Sequence, residues 1–289
     1  MAEQKEAKRI SIPYLYELKK KGELISWLTC YDYPNAVLVD QSGIEMILVG
    51  DSASMVVYGN SSTLPITMDT LIEHCRAVRR GAPNAFLIGD MPFLSYQVSV
   101  EEAVRNAGRF MKEGNCDAIK LEGGVRIAQT VRAIVNAGIP VVGHIGLTPQ
   151  SSSMLGGFKV QGKDVDSAMA LIDDAKALED AGVFGILLEC VPTKVSAIIR
   201  ERSGVLIFGI GAGDAVDGQL LIIHDILGLY QCFTPKFVKQ YCNLSGIISE
   251  ALGKYRADVK GKLFPQKEHS FSISPEEVKK LEALLANKK

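Results

Sequence analysis

Six ionisable side chains sit at the ends of short apolar runs in this chain: Asp51 after ILVG, Asp90 after FLIG, Lys120 and Glu122 within AIKLEGG, His144 after VVG, and Glu189 after ILL. Asp51, Asp90 and Glu122 are carboxylates with one imidazole and no thiolate nearby. Hard oxygen donors of this kind suit Mg²⁺ or Mn²⁺ rather than Zn²⁺. A divalent ion there could hold a substrate through a carboxylate and an adjacent keto oxygen, act as a Lewis acid and stabilise an enolate. Lys120 could neutralise the substrate carboxylate. Glu189 reads as a base, since a poorly solvated carboxylate has a raised pKa suited to taking a carbon-bound proton. Ser52, directly after Asp51, could donate a hydrogen bond at the metal-bound end. His144 could orient the substrate or a metal-bound water.

Each of these residues taken alone has an ordinary role. An Asp after a strand caps a helix or shapes a turn, and a strand-end Lys reaches for solvent. A lone His on an apolar strand is more often a satisfied core residue. Five consecutive strands that each end in an ionisable group are harder to explain that way, because buried charge is costly without partners. A shared site at the C-terminal ends of the strands is the simpler account.

The elements that would position these residues alternate along the chain. Apolar runs of strand length, rich in Val, Ile and Leu, fall at 24–29, 45–49, 85–89, 117–121, 139–143, 184–188 and 205–209, with an eighth at 226–230 that contains Gly228. They are apolar on both faces, as buried parallel strands are. Helical patterns lie between them: 67–80 behind Thr67, 99–113 behind Ser99, and 165–181 ending at Gly182. This alternation predicts an α/β fold, a (β/α)₈ TIM barrel with parallel strands. The expected organisation is one domain over 1–289, with an N-terminal extension 1–23 and a C-terminal tail 257–289. The polar, Gly-rich stretch 148–163 follows the fifth strand and is a candidate active-site loop.

Composition narrows the function classes. Lys+Arg total 32 and Asp+Glu 33, a net charge of -1, so no basic excess points to nucleic acid. No apolar run reaches the ~18 residues of a membrane helix. The start, MAEQKEAKRI, lacks the apolar core of a secretory signal. None of the six cysteines forms a CxxC pair, and Cys30, Cys116 and Cys190 read as buried thiols in a reducing compartment, the cytoplasm. GIGAG at 209–213 is a candidate phosphate cradle or, equally, a tight turn. His74, beside Arg76 and Arg79, reads as part of a solvated face. His224 and Asp225 read as structural.

The chain resembles the ketopantoate hydroxymethyltransferase family. The marks run from Leu24 to His269: TCYDYPNA at 29–36, VGDS at 49–52, GDMPF at 89–93, IKLEGG at 119–124, GHIGLTPQ at 143–150, LECVP at 188–192, and HD at 224–225. The resemblance implies a barrel enzyme of pantothenate and coenzyme A biosynthesis. Such an enzyme transfers a hydroxymethyl group from the co-substrate 5,10-methylenetetrahydrofolate to 3-methyl-2-oxobutanoate, giving 2-dehydropantoate. It further implies Mg²⁺ on Asp51 and Asp90 with Glu122 nearby. Asp51, Ser52, Asp90 and Lys120 would contact the oxo acid, with His144 in support, and Glu189 would accept the proton. The implied partners are the 2-oxo acid and folate, with no nucleic acid and no membrane. The implied assembly is a homo-oligomer, usually a decamer. The chain departs from the family in one place: Ala53-Ser54 stands where a bulky apolar residue and Gly are usual. Related Mg²⁺ lyases carry a Cys in a KKCGH-like segment that is absent from this sequence.

Overall fold

The computed structural model describes residues 9–287. They divide into two compact units, one running to Tyr241 and a second beginning at Cys242. In the first unit the order is α1 (Ile12–Lys21), β1 (Ile25–Thr29), α2 (Tyr33–Gln41), β2 (Met46–Val49), α3 (Ala53–Val56), α4 (Met68–Gly81), β3 (Phe86–Asp90), α5 (Val100–Lys112), β4 (Ala118–Glu122), α6 (Ala128–Asn136), β5 (Val141–Gly146), α7 (Val165–Ala181), β6 (Gly185–Glu189), α8 (Thr193–Arg202), β7 (Leu206–Ile210), β8 (Gly218–Leu221) and α9 (Ile223–Ile226). The eight strands pair in sequence order, all parallel, and β8 closes on β1. This is the expected TIM barrel.

Period-two alternation along the strands divides the core in two. Trp27, Met46, Leu48, Phe86, Ile88, Ala118, Val142, Leu187 and Phe208 fill the barrel interior. Ile47, Val49, Leu87, Ile119, Leu121 and Val141 face the surrounding helices. The N-terminal extension is not a loose appendage. Ser11 precedes α1, Leu15 and Leu18 are buried in the interior cluster, and the Tyr16 hydroxyl donates to Phe184 O at 2.9 Å. The helix therefore plugs the N-terminal end of the barrel. Residues 1–8 of that extension lie outside the described residues.

Sequence-readable signals mark the helix ends. The Thr67 and Ser99 side chains accept from the backbone of Thr70 (3.3 Å) and Glu102 (3.1 Å), and Gly182 ends α7 in the left-handed region at φ 96°.

The eighth strand corrects the expectation. It is β8 at Gly218–Leu221, whereas 226–230 holds the end of α9 and a turn through Gly228 at φ 62°. The strand GQLL is short and half polar, so it lacks an apolar signature. What selects it is closure: a Cβ on Gly218 would lie 2.5 Å from the Ile25 carbonyl oxygen of β1. Only a residue without a side chain lets the two backbones meet. Gly218→Val is expected to destabilise the barrel by about 3 kcal/mol through overpacking at this seam, read as a lower urea midpoint.

The second unit carries α10 (Leu244–Lys260) and α11 (Pro275–Ala286). The tail expected from 257 thus begins earlier. Asn243 caps α10 by accepting from Gly246 N at 3.2 Å, so residue 257 falls inside a helix. Residues 288–289 of that tail lie outside the described residues. No residue of α10 or α11 is buried within the chain.

Candidate active site

Strand parity brings the ionisable residues to one place. Ile88 points into the barrel, so Asp90 does too; Ala118 sets Lys120 and Glu122, Val142 sets His144, and Leu187 sets Glu189. Register aligns them laterally: Asp90 pairs with Lys120, Glu122 with His144, and Gly146 with Glu189. Asp51 and Ser52 follow β2 at the same end. All of them line one cavity of about 490 Å³ at the C-terminal mouth. Phe158, Lys159 and Val160 of the 148–163 stretch line it as well.

Lys120 is the hub. Its Nζ lies 2.8 Å from Asp90 Oδ1, 3.6 Å from Glu122 Oε1 and 3.4 Å from His144 Nδ1. The other Asp90 oxygen accepts the backbone N–H of Asp51 at 2.9 Å. Burial opposes a charge on Lys120, but Asp90, Glu122 and Asp51 outweigh it and hold the ammonium above its ordinary pKa. Burial also raises Asp51, Asp90 and Glu122, with mutual repulsion added at Asp51 and Asp90.

Glu189 stands on the far side of the imidazole, its Oε2 3.1 Å from His144 Nε2. Burial raises its pKa, partly offset by His144. Burial and the Lys120 charge both lower the pKa of His144, which favours the neutral ring. A neutral ring fits with its proton on Nε2, towards Glu189, and the Nδ1 lone pair towards Lys120.

Residues from outside the strand ends complete the site. Gln150, 6 % exposed, donates from Nε2 to Asp51 Oδ2 (3.0 Å) and to Met91 O (3.0 Å), and from its backbone to Glu122 Oε2 (3.0 Å). Its Oε1 accepts from the buried Tyr96 hydroxyl at 2.8 Å, which in turn accepts from Glu122 N at 3.1 Å. One glutamine thus ties two carboxylates into fixed positions. Tyr31 places Ser52, hydroxyl to hydroxyl, at 2.8 Å. The sequence marks Gln150 by its place at the head of the candidate loop and as the last residue of the GHIGLTPQ block.

Several roles expected from the sequence change on the structure's geometry. His74 is not on a solvated face: its Nδ1 meets Tyr31 O at 2.5 Å and its Nε2 meets the Tyr58 hydroxyl at 2.9 Å. Arg79 is buried and pairs with Asp117. Cβ atoms on Gly211 and Gly213 would meet the Phe237 ring at 2.6 Å and Thr193 Oγ1 at 2.3 Å, so close packing accounts for the GIGAG run. Ser54 lies within α3 without positive φ, and its hydroxyl donates to Ser62 O at 2.7 Å. The family's usual Gly is therefore not required there. Cys30 and Cys116 are buried thiols as expected, Cys75 joins them, and Cys190 is half-buried.

The donor set fits a hard dication. With Asp51, Asp90 and Glu122 ionised, the single Lys120 ammonium leaves two buried negative charges uncompensated. Glu122 Oε1 is buried without a hydrogen bond. Among the described residues no three His, Cys, Asp or Glu side chains form a closed cage for an ion. Asp51 and Asp90 fit Mg²⁺ by their chemistry, since that ion binds through one or two carboxylates and completes its shell with water and substrate oxygens.

Comparison with known proteins agrees with this frame. In overall fold the chain is similar to phosphonopyruvate hydrolase, with a TM-score of 0.62 at 14% identity, covering 96% of this chain and 97% of that one. It is also similar to 2,3-dimethylmalate lyase, with a TM-score of 0.55 at 14% identity, covering 96% and 95%. In sequence it is far nearer to proteins named 3-methyl-2-oxobutanoate hydroxymethyltransferase. That of Heliobacterium modesticaldum is 53% identical over 93% of this chain and 98% of the relative. That of Syntrophobacter fumaroxidans is 54% identical over 96% and 98%. Residues 9–267 match the model of the family described as ketopantoate hydroxymethyltransferase. With that match and these identities, the chain belongs to the ketopantoate hydroxymethyltransferase family.

Proposed function

We propose that this chain transfers a hydroxymethyl group from 5,10-methylenetetrahydrofolate to 3-methyl-2-oxobutanoate, giving 2-dehydropantoate and tetrahydrofolate. The observation that carries the reading is Glu189, a half-buried carboxylate 3.1 Å from His144 Nε2, lining one cavity with Asp51, Asp90 and Lys120.

Asp51 and Asp90 would hold Mg²⁺, with Glu122 close by; bound there, the ion supplies Lewis-acid polarisation of the keto oxygen. Lys120 neutralises the carboxylate of the oxo acid, and Ser52 donates a hydrogen bond to its polar end. Glu189 takes the proton from C3, and the C–H electron pair moves into the C2–C3 bond as the keto oxygen gains negative charge. The C3 carbon then bonds to the donor's methylene carbon. A water oxygen becomes the hydroxyl as the two carbon–nitrogen bonds of the donor's methylene break, and the proton held by Glu189 and one proton of the water pass to the two nitrogens, leaving tetrahydrofolate. His144 holds the carboxylate of Glu189 in line for the proton.

The test is exchange of the C3 proton of 3-methyl-2-oxobutanoate in D₂O, followed by NMR, with and without Mg²⁺, together with formation of 2-dehydropantoate when the donor is added. Mg²⁺-dependent exchange and product formation are expected. Neither, with both reactants present, would overturn the reading.

The assembly we propose is a homo-oligomer, ten copies as is usual for the family, acting in the cytoplasm. Leu252, Tyr255, Leu281 and Leu284 are exposed on α10 and α11, apolar surface of the kind that subunit contacts cover. No helix among the described residues is long and apolar enough to cross a membrane.

A further inference from the structure

Asp225 lies at the same barrel mouth, next to His224, whose ring meets that of Tyr31 at 5.4 Å, and Tyr31 in turn places Ser52. Asp225 sits in α9 directly after β8, and in the closed strand order β8 is diametrically across the mouth from β4, which carries Lys120 and Glu122. It lines the same cavity at 5 % exposure. Its carboxylate has no hydrogen bond or ion pair with any described residue, and burial alone pushes it up to about 6. A buried carboxylate without a partner costs free energy unless a ligand supplies the donors. Arg200 and Lys19 show what this chain does with a buried carboxylate it uses structurally: Asp217 is met by two cations.

The surroundings of Asp225 define what would bind. Leu220, Ile222, Tyr230 and Phe237 give the cavity an apolar, partly aromatic wall beside it. At the outer end Lys159 and Lys236 line the cavity, exposed and without an ion pair to a described residue. A flat ring with paired N–H donors at one end and an anionic tail at the other matches this order. A reduced pterin offers an amino group beside a ring N–H, a fork that meets both oxygens of one carboxylate as a guanidinium does. Its glutamyl carboxylates suit the lysines.

We infer that Asp225 is the recognition carboxylate of a second subsite, taking the ring N–H groups of the folate donor while its tail runs out between Lys159 and Lys236. The inference rests on the reaction proposed above and adds the place of its second reactant. The two reactants then meet within the one cavity at the barrel mouth.

Calorimetric titration with tetrahydrofolate tests it in the full-length protein. Asp225→Asn is expected to weaken tetrahydrofolate about 30-fold, the loss of one charge-assisted pair of hydrogen bonds. Affinity for 3-methyl-2-oxobutanoate with Mg²⁺ is expected to move less than threefold. A tetrahydrofolate analogue lacking the 2-amino group should bind the wild-type protein weakly, and the variant no worse than tetrahydrofolate itself does. Tetrahydrofolate binding the variant within threefold of wild type would overturn the assignment. Should the variant fail to fold, equal wild-type affinities for tetrahydrofolate and the analogue would overturn it. Wild-type C3 exchange without tetrahydrofolate binding would remove the donor and this subsite together while leaving the enolisation chemistry. Absence of both would instead strike the underlying function.

Discussion

Glu189→Gln is expected to slow exchange of the C3 proton of 3-methyl-2-oxobutanoate about a thousandfold, while the oxo acid still binds. General bases contribute roughly 10²–10⁴-fold, and a thousandfold corresponds to about 4 kcal/mol at the transition state. The substitution is nearly isosteric and leaves the approach of His144 Nε2 to residue 189 in place, so the loss would report the base and not a collapsed site. The wild-type pH profile carries a second expectation. Burial raises the pKa of Glu189 above the ordinary glutamate range of about 4.3. The base works only when ionised. Exchange should therefore rise with pH through that raised value to a plateau, and fall as pH drops below it. A profile flat down to pH 4, or a variant with near-normal exchange, would remove Glu189 from the role of base.

Asp51→Asn should act in opposite directions on stability and on activity. In the wild-type chain Asp51 is 5 % exposed, repelled by Glu122, and held by the Gln150 amide at 3.0 Å. An amide at residue 51 can keep that hydrogen bond while removing one of the uncompensated charges. Without divalent ion the variant is expected to be more stable than wild type by about 1 kcal/mol, the usual gain when a functional site is relieved of strain. Wild type should respond to Mg²⁺ where the variant does not. A ligand at a hundred times its Kd adds about 2.7 kcal/mol, about 6 °C in Tm for a chain of this size. Exchange at C3 should fall about a thousandfold in the variant, since Lewis-acid stabilisation is worth several kcal/mol. Thermal melts in EDTA and in Mg²⁺ would check both signs. A variant whose Tm still rises with Mg²⁺ as wild type does would place the ion elsewhere.

How much of the fold and site is legible in the sequence can be traced through particular residues. Strands β2 to β7 are readable because they are buried on both faces, so their sequences are largely continuous apolar runs. The ionisable residues are readable for the same reason: Lys120 and Glu122 interrupt such a run, and desolvation makes any interruption costly without a purpose. Strand β8 is not readable, because Gly218 and Gln219 carry no apolar pattern and its place depends on how closely Ile25 can approach. The contacts of Gln150 and Asp225, which fall in the GHIGLTPQ and HD blocks, are hidden for a related reason. A polar residue in a loop or short turn has no regular background to stand out from, and its burial comes from elements far away in sequence. His74 and Arg79 mislead because a helix pattern shows which face is polar but not what lies against it.

The sequence by itself determined the fold class, the family and the residue types at the strand ends, since these depend on local alternation and on which side chains are present. Only the tertiary structure decided the pairings: Lys120 with Asp90 and Glu122, His144 with Glu189, Gln150 across two carboxylates, and Asp225 left unpaired in the same cavity. Those depend on parallel register, on closure of β8 against β1, and on the low dielectric of the barrel mouth, where charges a short distance apart control one another's protonation. None of these is a property of a segment taken alone.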